Sequence, residues 1–106
     1  MTSPSSSGAL EAVERVLNRG GEPDAVLRYV VSALHERAAP WVGIAFVTED
    51  GVELGPSAGG DKPVDVQRHP IVWEGRAVAE LWAGIEADAE LLARVALIVS
   101  PYCVNL

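Results

Sequence analysis

The sequence predicts a two-layer α+β domain: a four-stranded antiparallel sheet of two hairpins, with three helices packed on one face. Three observations carry this. Apolar residues recur at three- and four-residue steps in three stretches, near residues 10–17, 26–34 and 91–99. Between the second and third stretches lie β-rich runs that fold back at Glu49-Asp50-Gly51 and at Glu74-Gly75. The resulting order is helix, helix, hairpin, hairpin, helix, and three amphipathic helices need one sheet face to bury against. The 106 residues suffice for one packed core. It is assigned to residues 9–106, and the polar residues 1–8 are expected to form a flexible leader.

Taken in order, Leu10, Val13, Val16 and Leu17 mark the apolar face of the first helix, which Gly20-Gly21 stops. Pro23 suits the first turn of the second helix, where its missing N–H is not needed. Val26, Leu27, Val30, Val31 and Leu34 form that helix's core stripe, and Pro40 ends it. Residues 41–48 then read as a strand, and residues 52–56 as its return. The first turn is open between a two-residue Asp50-Gly51 loop and a longer Glu49-Asp50-Gly51 loop, which assign opposite partners. A polar, glycine-rich loop leads to the second hairpin, with strands over residues 66–73 and 76–85. Asp88 caps the last helix, whose stripe is Leu91, Leu92, Val95, Ile98 and Val99, and Pro101 is expected to end or kink it.

Composition narrows the partners. An apolar fraction of 49% places the chain among globular proteins and outside the disordered class. Its net charge is −7 and its eight bases are scattered, so neither nucleic acid nor an anionic membrane is expected as a partner. Cys103 is the single cysteine, too few for an internal disulfide or a cysteine metal site; no metal or cofactor is expected. With no secretory signal pattern and no apolar run of membrane-spanning length, the expected location is cytoplasmic.

The second hairpin permits a sharper derivation. A two-residue Glu74-Gly75 loop sets Trp73 against Arg76, Ile71 against Val78, His69 against Glu80 and Gln67 against Trp82, all on one face. The other face collects Val66, Pro70, Val72, Ala77, Ala79, Leu81 and Ala83, and is assigned to the helices. Arg68 alone is out of place there, as a bulge or another loop length would make it. The outer face then bears Trp73 and Arg76 as a cation–π pair and His69 and Glu80 as an ion pair, which raises the histidine's proton affinity. Gln67 and Trp82 complete the candidate site. Such a face is either a set of cross-strand pairs, stabilising the sheet by roughly 0.2–1 kcal/mol each, or a binding surface.

Elsewhere the chemistry is thin. His35 reads as a solvated residue near the end of the second helix. The glycines around Ser57 do not open into a helix, and so read as a plain loop rather than a phosphate cradle. Two histidines and one tail cysteine assemble no nucleophile–base set.

Residues 41–47 (WVGIAFV), then Leu54-Gly55-Pro56, then Pro70-Ile71-Val72-Trp73-Glu74-Gly75-Arg76, resemble the GAF domain family. They are most similar to the branch containing the free methionine sulfoxide reductases, whose strand motifs recur in this order between flanking helices. The resemblance covers about residues 10 to 102. The departures are specific. GAF domains usually carry a long segment after the second strand that forms a wall or lid of the ligand pocket, and here about ten residues bridge the hairpins. The reductase branch needs several cysteines, and none lies between Trp41 and Ile85. Trp82 and Gly84 stand where the family commonly has acidic residues, and Ala79 where it often has glycine.

The resemblance thus implies a minimal GAF-like fold without reductase chemistry. The expected function is a non-catalytic regulatory or assembly module that binds a protein partner or forms a homodimer, the latter as many GAF proteins do. The alternative is a small-ligand sensor with a shallow site on the outer sheet face, and a third reading is a reductase dependent on Cys103.

Overall fold

The structure, a computed structural model, describes residues 4–104. Helix α1 (Pro4–Arg19) takes in residues 4–8, which the sequence assigned to the leader; residues 1–3 of that leader lie outside the described residues. Helix α2 (Pro23–Arg37) opens on its proline, and six of its residues, from Val26 to Leu34, are buried. The strands follow as β1 (Val42–Thr48), β2 (Gly51–Ala58), β3 (Val66–Trp73) and β4 (Arg76–Gly84). Helix α3 (Ala89–Cys103) closes the fold, and the Asp88 carboxylate accepts hydrogen bonds from Glu90 N and Leu91 N as its N-cap.

Pro101 does not end α3. A proline has no N–H to give to the carbonyl four residues back, and that carbonyl, Leu97 O, instead accepts the Ser100 hydroxyl at 3.1 Å. The helix therefore runs on through Tyr102, whose hydroxyl donates to Leu17 O of α1 at 3.2 Å.

The sheet is antiparallel with strand order β2-β1-β4-β3, so the two hairpins join through their inner strands β1 and β4. Helix α2 lies over β1 and β2, α3 lies over β3 and β4, and α1 rests on α2 and α3. All three helices thus sit on one side. The main core lies between: Val26, Leu27 and Val30 of α2, Leu92, Val95 and Val99 of α3, and Ile44, Ile71 and Leu81 of the sheet are among its fully buried members.

The first turn differs from both loops the sequence offered. Thr48 pairs with Gly51, so the loop is Glu49-Asp50 and Gly51 already belongs to β2. The Thr48 hydroxyl accepts from Asp50 N and donates to Gly51 O, which fixes this choice locally. A bulge at Gly55-Pro56 accommodates the proline in edge strand β2, two residues there standing against Ile44 of β1. The second turn is the two-residue Glu74-Gly75 loop, with φ of 52° and 78° respectively, the backbone hand that matches strand twist.

Candidate interaction surface

A second bulge, in β4, decides which side chains share the outer face of the sheet. Near the turn the pairing is Trp73 with Arg76 and Val72 with Ala77; beyond it Ile71 pairs with Ala79, leaving Val78 as the extra residue. Val78 and Ala79 both pack toward the helices. Every pair below the bulge is shifted by one residue from the sequence expectation: Pro70 faces Glu80, His69 faces Leu81, Arg68 faces Trp82 and Gln67 faces Ala83.

This corrects four of the six candidate residues, Gln67, His69, Trp73 and its cross-strand partner Arg76; of the six, Trp82 and Glu80 keep the outer face. Ile71 is fully buried beneath the helices, so His69, Gln67 and, by strand alternation, Trp73 belong to the helix side and not to the face of Trp82. His69 makes no pair with Glu80; its Nε2 lies 2.8 Å from Gln67 Oε1. The Gln67 amide donates both hydrogens across the sheet end, to Gly84 O at 3.0 Å and Ala87 O at 2.9 Å. Its oxygen is left as the acceptor, so His69 must carry a proton on Nε2. These two residues hold the connection between β4 and α3. Trp73 and Arg76 do face each other at the turn, with Trp73 37% exposed. Among the described residues, however, the cation–π contacts are at Trp82.

The outer face is built around that indole. The Arg68 guanidinium lies 4.3 Å from the Trp82 ring centroid, and Lys62 Nζ, reaching in from the segment between β2 and β3, lies 5.9 Å from it. Trp82 Nε1 donates to Glu80 Oε1 at 2.8 Å. The same oxygen is 3.8 Å from Arg68, an ion pair too long to be a hydrogen bond. Beneath this layer is a second small core of Trp41, Ala45 and Trp82, with Val66 packed against it. Trp41 is 2% and Trp82 6% exposed, so the two indoles fill the space themselves.

Two glycines make that packing feasible. The Trp41 ring lies across Gly43, where an added Cβ would stand 2.9 Å from the ring and 2.9 Å from Leu54 Cδ1. Gly59, at a φ of 110°, carries the chain over Pro40 and Trp41 so closely that a Cβ would collide with Pro40 O and lie 2.8 Å from Trp41 Cα. Trp41 Nε1 is buried and, among the described residues, has no acceptor.

Toward the hairpin turns the same face becomes apolar and exposed. Val47 and Val52 stand opposite each other, and Leu54 and Val72 share their side by alternation; all four are 38–47% exposed. Sequence reasoning missed Arg68, Lys62, Trp41 and these four residues as members of one surface. The alternation Trp41, Gly43, Ala45, Val47 against Val42, Ile44, Phe46 could have found the β1 part. Lys62 had no local signal.

His35 Nδ1 lies 3.1 Å from Ala39 O, beyond the last turn of α2. Cys103 is buried on the core side of α3, and burial pushes its thiol up to about 11. Among the described residues no cluster of His, Cys, Asp and Glu could hold a metal ion, and no helix is long and apolar enough to cross a membrane.

No protein-family model matches the sequence, and no curated protein matches it. Among solved structures, the chain is similar to the crystal structure of the GAF domain from Acinetobacter phosphoenolpyruvate-protein phosphotransferase. The TM-score is 0.71 at 10% sequence identity, over 96% of this chain and 94% of that one. At that identity the likeness is one of fold. The three helices and four-stranded antiparallel sheet are GAF-like, as the sequence resemblance implied.

Proposed function

We propose that this chain is a non-catalytic GAF-like module that works by binding a protein through the outer face of its sheet. One observation carries the reading. The face away from the helices combines four partly exposed apolar side chains, Val47, Val52, Leu54 and Val72, with the Arg68–Trp82–Glu80 group. Exposed apolar area with an arginine beside it is what protein interfaces favour, and the buried Trp82 indole serves to hold that arginine in place. A pair of substitutions, Val52→Asp with Val72→Asp, tests it, because both sites are exposed and tolerate charge without loss of core. Proteins retained by the wild-type chain from its own cell should be lost with this variant and kept by a control altered on α1, such as Glu14→Lys. Equal retention by both variants would sink the reading.

The non-catalytic part rests on Cys103. A reductase of the free methionine sulfoxide type needs an accessible thiolate, whereas this thiol is buried against the core and held protonated. We place the ancestry near that branch on the strand motifs alone, and the chemistry outside it. Cytoplasmic residence fits the single free thiol.

A second reading has one observation in its favour. The Trp41 Nε1 donor, buried beside Trp82, lacks an acceptor, and a small ligand entering beneath the segment between β2 and β3 would supply one. Tryptophan fluorescence and thermal shift against a panel of nucleotides and metabolites decide it; silence across the panel removes it.

A further inference from the structure

We draw no further inference here: the strongest candidate, the outer sheet face with Val47, Val52, Leu54 and Val72 exposed beside Arg68 and Trp82, has its cations Arg68 and Lys62 balanced by the Glu80 and Glu86 carboxylates, and nothing in the structure shows what covers it.

Discussion

Arg68 and Trp82 face each other across the β3–β4 ladder, with the guanidinium 4.3 Å from the centroid of the indole. Simple alternation from the hairpin turn puts these residues on opposite faces. The bulge at Val78 brings them together, and the same shift sends His69 and Gln67 to the helix side. The energetic reason is Ile71. An isoleucine fully buried against α3 is worth about 1.5–3 kcal/mol over an exposed one, whereas the cross-strand pairs of the unbulged register offer roughly 0.2–1 kcal/mol each.

Trp82 should matter to stability far more than its cation partner. It is 6% exposed and rests on Trp41 and Ala45, so Trp82→Ala is expected to cost about 3–5 kcal/mol in urea unfolding. Arg68→Gln removes only a half-exposed cation–π contact, worth roughly 0.5–1 kcal/mol. Equal losses in the two variants would contradict the buried position of the indole.

Gly59 and Gly60 give an internally controlled comparison. Both have positive φ, 110° and 83°, so alanine is conformationally disfavoured at either. At Gly60 an added Cβ meets open space, while at Gly59 it meets the backbone of Pro40 and Trp41. Gly60→Ala should cost about 1–2 kcal/mol, and Gly59→Ala about 1–3 kcal/mol more. Thermal midpoints that fall together would argue against the close crossing.

Gln67 is expected to be sensitive to loss of its amide protons rather than of its bulk. Gln67→Glu keeps the shape, removes both donors and sets a carboxylate against Gly84 O and Ala87 O. It should cost at least about 1–3 kcal/mol and speed amide hydrogen exchange at the start of α3. Nitrogen chemical shifts of His69 should report the Nε2–H form in the wild type; the other tautomer would refute the assigned amide orientation.

Cys103 predicts both a reactivity and a pH dependence. Burial raises its folded pKa from 9.0 to about 11. The unfolded chain therefore ionises first as pH rises, so the thiol's contribution is complete below about pH 9 and is lost progressively up to about pH 11. Cys103→Ala should show a shallower fall in stability over that window than the wild type. Alkylation of the native protein by iodoacetamide near pH 8 should be slow, and fast only after unfolding; rapid native labelling would revive a reactive role.

Much of the fold is legible in the sequence because its signals are local. The buried stripe of α2, Pro23 at its start, the Asp88 cap and the Glu74-Gly75 turn all follow from residues within a few positions of one another. The persistence of α3 through Pro101 is less legible, since it depends on the Ser100 hydroxyl choosing Leu97 O. The placement of α1 over residues 4–8 was missed because Ser and Gly there are weak helix formers.

The candidate site divides along the same line. By itself the sequence determined that a GAF-like order of elements exists, that Trp82 and Glu80 share a face, and that Arg68 does not fit the simple register. Tertiary structure alone decided the phase of β3, because its two alternating sets, Gln67–His69–Ile71–Trp73 and Val66–Arg68–Pro70–Val72, are both mixed in polarity. Only the helices, by burying Ile71 beside Ala79 and Leu81, choose between them, and one extra residue at Val78 absorbs the mismatch. The outer face that results carries Arg68, Trp82 and four exposed apolar residues, an arrangement that no spacing along the chain encodes.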